Sequence, residues 1–448
     1  MDRFFDLLPL MSRESIIDGG DGNTPCFHAR ELGRAIGLDK VYIKDETKQP
    51  TLTTKDRMGA LVVAVFRELG IRQFVTSSTG NSCTSLARIV SRYPDDIRMS
   101  IFVGDEFLQR LNWPNEPNIT VYWLKNGTFV DAHEAARWFS QNHPEWVSER
   151  GFFSFAKRES LKTAYLEAVE QIPEPIEYYF QGISSAMGLY STFGAAQQLL
   201  GLGRIARLPA MVGVQEETCN PMVRAWERGA ERMEEQDIIR RPHGLSKSTL
   251  RGDSRMVYPY VRRAMVESGG FAVTATQEEM REARELVRQT EGLDICYTSA
   301  MTVAAARKLA QAGRLRRDAV IMLNITGADR VGQPSPMPHY IVERDGSGWT
   351  VTPADPVRDV GVMERVRQVL VEQNRLPTDT RIDSETRLVD GGLALDSVGL
   401  LEFSLALERE FGCHISENEL TPQHFATVGT VADLMRSKIT REPAGAPN

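Results

Sequence analysis

The sequence predicts an α/β fold over its first 330 residues, followed by a compositionally separate helical module. Two observations carry this. Short runs of β-branched and aromatic residues alternate with longer stretches of helical periodicity, the pattern produced when parallel strands are joined by helical crossovers. Beyond Pro334 the chain turns proline- and glycine-rich (PSPMPHYIVERDGSGWTVTPADP), and a new amphipathic helix starts near Val362, which marks a boundary. Strands are expected, in chain order, at residues 41–44, 73–76, 99–103, 120–123, 177–180, 211–214, 270–274 and 319–324. Helices fall between them: residues 58–69 place Leu61, Val62, Val65, Phe66 and Leu69 on one face, and residues 280–289 and 300–312 read the same way.

Composition narrows the function. A length of 448 residues suggests about two to four domains. The 53 Lys and Arg against 60 Asp and Glu leave a formal charge of −7, which disfavours a general polyanion binder because counterion release needs clustered cations. Nucleic acid is therefore not expected as a partner. Cys26, Cys83, Cys219, Cys296 and Cys413 are far apart, odd in number and lack CxxC spacing, so neither a disulfide framework nor a metal site is expected. The N-terminal MDRFFDLLPLMSRESIIDGG carries Asp2 and Asp6 and has no basic-then-apolar signal pattern. No apolar run of about 18 residues occurs either, so a cytoplasmic protein without a membrane span is expected.

Several short motifs carry chemistry. Lys55 lies in KDETKQPTLTTKDR (residues 44–57), between a strand and a helix. Alone, such a lysine is a solvated charge at a helix start; over a strand end it faces the place where α/β folds bind ligands. Asp21-Gly22-Asn23-Thr24-Pro25 precedes it, and Ser77-Ser78-Thr79-Gly80-Asn81-Ser82-Cys83-Thr84-Ser85-Leu86-Ala87 follows as a turn of small residues feeding a helix. The hydroxyls of that turn serve either as helix caps or as donors to an anion. Gln181-Gly182-Ile183-Ser184-Ser185-Ala186-Met187-Gly188 is a second strand-to-helix junction. A phosphate there would need backbone N–H groups converging at the helix N-terminus.

Together these motifs, with LKTAYLEAVEQ, LPAMVGVQEETCNPMVRAW, ESGGFAVTAT and the strand end Ile325-Thr326-Gly327, resemble the fold-type II pyridoxal-phosphate enzymes, within them the threonine synthase and cysteate synthase branch. The likeness covers roughly residues 20–330 and implies a tryptophan synthase β-like fold, two open α/β subdomains around a cofactor cleft. It implies that Lys55 is the Schiff-base lysine and proton shuttle. It also implies that Asn81 bonds the cofactor's 3′-oxygen, and that Ser78, Thr79 and Ser82 hold the substrate carboxylate. Gly182, Ile183, Ser184, Ser185 and Ala186 would cradle the phosphate, and Thr326 would meet the ring nitrogen. A neutral hydroxyl there favours elimination and replacement over transamination. Three departures stand out. Leu52-Thr53-Thr54 replaces G-S-F, G-I-S-S-A replaces G-N-G-G-N with loss of the central glycines, and Cys296-Tyr297-Thr298-Ser299-Ala300 stands where the family has Glu-Pro before S-A, with Cys296 read as a buried small residue. Arg158 or Lys162 could hold a substrate phosphate, or be plain surface charges.

The tail is a different module. Residues 361–440 hold 13 acidic and 8 basic side chains, a net −5. Within it Asp390-Gly391-Gly392-Leu393-Ala394-Leu395-Asp396-Ser397-Val398 opens a helix and resembles the attachment motif of acyl or peptidyl carrier proteins, which implies a four-helix bundle with 4′-phosphopantetheine on Ser397. A helix cap is the plainer role for that serine. The organisation expected is a catalytic domain at 1–350, a linker at 351–360, a carrier domain at 361–440 and a frayed tail at 441–448. The expected activity is elimination or replacement at the β- or γ-carbon of an activated serine or homoserine derivative, in carrier-linked specialised metabolism of the antibiotic type. Rival readings are a degenerate catalytic domain serving as a carrier scaffold, and action on a carrier-tethered aminoacyl thioester. Partners implied are the amino acid, a phosphopantetheinyl transferase, biosynthetic enzymes that dock on the carrier and a second copy of the chain.

Overall fold

The computed structural model describes residues 2–78, 80–330, 335–346, 348–354, 362–373, 382, 384–389, 393 and 395–439. Its strands are β1 (Cys26–His28), β2 (Lys40–Asp45), β3 (Gln73–Ser77), β4 (Arg98–Gly104), β5 (Ile119–Leu124), β6 (Val147–Ser148), β7 (Tyr178–Gly182), β8 (Ala210–Glu216), β9 (Phe271–Ala275), β10 (Val320–Ile325), β11 (Tyr340–Asp345) and β12 (Gly348–Pro353). They form two sheets of order β1-β2-β10-β7-β8-β9 and β12-β11-β5-β4-β3-β6. Each strand expected from sequence is present within two residues at either end. In the first sheet β2, β10, β7, β8 and β9 run parallel, and only the short β1 is antiparallel to β2. All residues of β8 and β10 are buried, the near-continuous apolar reading expected of parallel strands covered on both faces. Their core joins Val41, Ile43, Phe180, Val212, Ile321 and Leu323 to Ala300, Met301 and Ala304 of helix Tyr297–Gln311.

Two expectations need correction. Helix Asp56–Glu68 is not half-exposed: every residue from Asp56 to Phe66 is buried, because helices Asn81–Val90 and Phe155–Leu161 pack against it, while Leu69 lies beyond its end and is exposed. The proline-rich boundary also holds structure. Its period-two stretches form β11 and β12 at the edge of the second sheet, and β12 runs to Pro353, so the first residues of the expected linker are strand. Residues 355–360 of that linker and the tail 441–448 lie outside the described residues.

Residues 2–330, with the described part of 342–350, belong to one compact unit, and the described residues from 351 onward belong to a second. The second unit contributes helices Val362–Gln373, Ser397–Phe411 and Val428–Ile439 and the 310 turn Glu417–Glu419 among the described residues. Val366, Leu370, Leu388, Phe403, Leu407, Val431 and Met435 form its own core. No described helix is long and apolar enough to cross a membrane.

Beneath the start of helix Asp56–Glu68 lies a buried ionic network. Arg57 donates from Nε to Glu46 Oε2 (2.7 Å), and from Nη2 to Glu46 Oε1 (2.8 Å) and Glu167 Oε2 (2.8 Å). Further bonds run from its Nη1 to Glu167 Oε1 (2.9 Å) and Thr163 Oγ1 (3.0 Å), and from its Nη2 to Thr24 Oγ1 (2.9 Å). Lys44 Nζ adds bonds to Glu167 Oε2 (2.8 Å) and Thr24 O (2.6 Å). The cations win against desolvation and hold Glu167 down to about 2, with Arg57 the main contributor. Arg57→Met should therefore strand two carboxylates in the core. We expect it to lower unfolding free energy by about 3–5 kcal/mol, read as a fall in the denaturant midpoint of the cofactor-free protein. An unchanged midpoint would show that the network contributes nothing to stability.

Candidate active site

Lys55 immediately precedes helix Asp56–Glu68 and already has helical backbone angles (φ −68°, ψ −20°). Its main chain is held on both sides: N–H donates to Thr53 Oγ1 (3.4 Å), and the carbonyl accepts from Ser85 Oγ (2.5 Å) and Met58 N (2.8 Å). Its ammonium meets no hydrogen-bond acceptor or carboxylate among the described residues. Burial, helped by the charge of Lys157, lowers its pKa from 10.5 to about 8. Lys157 is itself ion-paired to the buried Glu149, whose Oε1 accepts from Thr76 Oγ1 (2.9 Å).

The turn before Lys55 is laced to the end of β10. Thr54 N donates to Thr326 O (2.9 Å) and Ala328 N to Leu52 O (2.9 Å), with a bridge between Thr53 and Gly327. The approach is so close that a Cβ on Gly327 would lie 2.3 Å from Leu52 O, and its φ of +156° independently calls for glycine. Leu52 takes a left-handed φ of +56° at the position where the family pattern has glycine. The Thr326 hydroxyl is buried, 3.4 Å from Ser299 Oγ, which in turn donates to Gly327 O (3.1 Å). Cys296 Sγ lies 3.4 Å from the same Ser299 Oγ, and burial raises its pKa, which keeps the thiol protonated.

Asn81 opens helix Asn81–Val90, and Ser78 Oγ accepts from Gly80 N (3.1 Å) within the turn before it. The N-cap of that helix is Gly80, which has no side chain to cap it, and Ser78 bonds the cap residue itself, not the first helical turn. Ser78 is buried and Ser82 half-buried; Thr79 lies outside the described residues. Asn81 Oδ1 accepts from Arg330 Nη2 (2.8 Å), and Ser77 Oγ lies 3.2 Å from His133 Nδ1.

Gly182 ends β7, and a Cβ there would fall 2.4 Å from Thr298 O. Ile183 N bonds Val214 O (2.8 Å), after which the N–H groups of Ser184, Ser185, Ala186 and Met187 find no acceptor among the described residues. They stand at the N-terminus of the 15-residue helix Met187–Gly201. The loss of the central glycines proves harmless to the backbone. Ser184 and Ser185 avoid positive φ, and the one left-handed residue of the loop is Ala186 (φ +56°), where the pattern has asparagine. Arg158 and Lys162, expected as alternative phosphate ligands, have other employment. Arg158 Nη1 donates to Phe152 O (2.8 Å), and the buried Lys162 bonds Leu7 O, Glu159 and Gln198 Oε1 (2.9 Å). Lys157, His133 and Arg330 were missed: none lies in a recognisable motif, and only the fold brings them beside Lys55, Ser77 and Asn81; Ser299 lies in the S-A motif after Cys296-Tyr297-Thr298, but its contact with Thr326 was not foreseen.

In the second unit Asp396 caps helix Ser397–Phe411, its Oδ1 accepting from Gly399 N (2.7 Å). Ser397 is the first helical residue and is exposed. The cap role belongs to the neighbour, and the serine hydroxyl is left to solvent.

The family described as "Pyridoxal-phosphate dependent enzyme" matches residues 17–327. The chain belongs to this family. A phosphopantetheine attachment site matches residues 364–435, so the second unit is a carrier domain. Among relatives of the pyridoxal-phosphate enzyme, threonine synthase of Methanocaldococcus jannaschii is 26% identical over 328 residues, 72% of this chain and 79% of that one. Cysteate synthase of Methanosarcina acetivorans is 26% identical over 318 residues, 67% of this chain and 76% of that one. In fold it is similar to the processed threonine deaminase isoform 2 of Solanum lycopersicum (TM-score 0.55, 13% identity, 73% and 90% covered). It is also similar to a mutant of O-ureido-L-serine synthase with O-ureido-L-serine bound (TM-score 0.53, 16% identity, 68% and 88% covered). The two-subdomain pyridoxal-phosphate fold and the carrier domain thus agree with the sequence reading. The residues present fit the cofactor: the four free N–H groups at a helix N-terminus suit a phosphate, and the unpaired Lys55 suits a carbonyl carbon.

The electrostatics of Lys55 give a signed expectation. Below pH 8 the folded, cofactor-free protein keeps a half-buried ammonium without a counterion among the described residues, so Lys55→Met is expected to be more stable than wild type at pH 7. The advantage should shrink as pH climbs from about 8 to about 10.5, where the folded lysine is neutral and the unfolded one still charged. Chemical denaturation of both proteins across that range tests this, and a difference independent of pH would show that Lys55 is solvated.

Proposed function

We propose that the catalytic unit carries out elimination or replacement at the β- or γ-carbon of a serine or homoserine derivative with an anionic leaving group, a phosphate ester above all. The observation that carries this is the amine of Lys55, desolvated and without a counterion, with the cation of Lys157 beside it. Bound pyridoxal phosphate supplies the electron sink for a carbanion at the substrate's α-carbon. Lys55 anchors the cofactor and then moves the α-proton, a task suited to an amine near pH 8. Gly182, Ile183, Ser184, Ser185 and Ala186 hold the phosphate, Asn81 the 3′-oxygen, and Ser78, Thr79 and Ser82 the substrate carboxylate. Thr326 meets the ring nitrogen with a neutral hydroxyl, and its neighbours Ser299 and Cys296 are neutral too. Among the described residues no carboxylate hydrogen-bonds the Thr326 hydroxyl, and Asp329, whose charge reaches Cys296, is ion-paired to Arg284, which favours departure of a leaving group over transamination. The similarity to threonine synthase and cysteate synthase supports an amino acid substrate of this kind.

The carrier unit, residues 361–440, takes its phosphopantetheine arm on Ser397. The free hydroxyl beside the Asp396 cap supports this, and a transferase acting on it is a partner. A carrier fused to an amino-acid enzyme fits specialised, antibiotic-type biosynthesis in the cytoplasm, with further enzymes docking on the carrier, and the catalytic unit working as a homodimer. The cofactor-matched features of the catalytic unit speak against a bare scaffold.

Two experiments test the reading. Purified protein should show cofactor absorbance at the violet edge of the visible and release phosphate from O-phosphoserine or O-phosphohomoserine. Lys55→Ala should lose both, and borohydride reduction of wild type should fix the cofactor on the peptide containing Lys55. Turnover at the wild-type rate by a folded Lys55→Ala would sink the assignment. Incubation with coenzyme A and a broad-specificity phosphopantetheinyl transferase should add one arm by intact mass. The same gain in Ser397→Ala would place the arm elsewhere.

A further inference from the structure

Arg330 follows β10 by five residues and is half-buried, yet no carboxylate lies within ion-pair distance of it among the described residues. Its hydrogen-bond acceptors are all neutral. Nε donates to Asn112 Oδ1 (2.6 Å), Nη1 to Thr51 O (3.3 Å), and Nη2 to Asn81 Oδ1 (2.8 Å) and Arg110 O (3.4 Å). Burial and the nearby Arg110 lower its pKa to about 10, against the more distant attraction of Asp56 and Asp329. A half-buried cation with no direct ion pair is costly, so its placement asks for a reason other than stability.

Its contacts supply one. A guanidinium has five donors and no acceptor, so the group that Asn81 turns towards Arg330 must be the amide oxygen. The Asn81 NH2 is thereby left as a donor pointing away from Arg330, and a flipped amide would set N–H against N–H. The same guanidinium grips Thr51 O, whose own N–H and hydroxyl bond Asp56 (2.5 and 2.9 Å), the residue after Lys55. One side chain from the strand end that carries Thr326 thus ties together the turn of Lys55 and the start of the Asn81 helix.

We propose that Arg330 is a positioning residue for the cofactor site, fixing the Asn81 amide in the orientation that donates to the cofactor's 3′-oxygen. This rests on the reading of Asn81 given above. Lysine would not substitute fully, because a point charge cannot span Asn81, Asn112 and Thr51 as a planar fork does.

The test titrates pyridoxal phosphate into cofactor-free wild type, Asn81→Ala, Arg330→Met, Arg330→Lys and the Asn81→Ala/Arg330→Met double variant. Affinity and absorbance maximum are followed, with melting curves confirming that each is folded. Arg330→Met should bind about tenfold more weakly and shift the absorbance maximum, and Arg330→Lys should recover part of the loss. The double variant should bind no more than about threefold more weakly than Asn81→Ala, because the second change acts through a group already removed. Wild-type affinity and spectrum in Arg330→Met, or losses that multiply in the double variant, would overturn the proposal. Wild-type behaviour of Asn81→Ala would instead overturn the reading of Asn81 and the proposal with it, a separate and recognisable result. Should Arg330→Met not fold, Arg330→Gln takes its place under the same criteria.

Discussion

The site depends on one interaction, the double carboxylate grip on Arg57. Glu46 and Glu167 reach the guanidinium from the end of β2 and from helix Thr163–Gln171, and Lys44 and Thr24 close the remaining valences. Such a network gains little stability over a well-packed apolar core, but it tolerates only one arrangement, since each misplaced partner leaves an unpaired buried charge. Arg57 is two residues from Lys55, so fixing its guanidinium fixes the first turn of helix Asp56–Glu68 and the amine that projects from it.

This rigidity lets Lys55 remain reactive. An amine lowers its pKa when it is desolvated and kept from carboxylates. The ionic network absorbs Glu46 and Glu167, and Lys157 absorbs Glu149, so the acidic groups near the strand ends are already engaged. Around Thr326 the hydrogen-bonded chain of Ser299 and Cys296 is uncharged.

The parallel strands were legible because burial on both faces writes them as apolar runs, and 41–44 and 319–324 were placed to within two residues of β2 and β10. The edge hairpin β11–β12 was not, since Pro334 to Pro356 carries turn residues that mask a period-two pattern. Lys55, Asn81 and Thr326 were legible through ordered motifs. What the motifs were for was less visible: Thr24, Lys44, Glu46, Arg57 and Glu167 all belong to the best-matched segments, yet they build the buried network and not the ligand surface. Lys157 and Arg330 carry no local signal, because their meaning lies in what stands opposite them in space, and Arg158 and Lys162 drew attention only as neighbouring positive charges.

The departures from the family pattern bear on whether the catalytic unit is a relic. Leu52 stands in left-handed geometry where glycine would be free of strain, and Ala186 does so where asparagine would be tolerated. Each costs roughly 1–2 kcal/mol, and neither is compensated by a side-chain hydrogen bond, since neither side chain can make one. The turn nevertheless keeps its bonds to Ala328 and Thr326, and the loop keeps four N–H groups without an acceptor among the described residues at a helix N-terminus. Strain of this kind persists where surrounding structure over-determines the backbone, and it clusters at ligand sites. A scaffold valued only for carrying Ser397 would need neither the strained turn nor the open cradle. Their joint retention, beside a lysine left without a counterion, is what a working cofactor site requires.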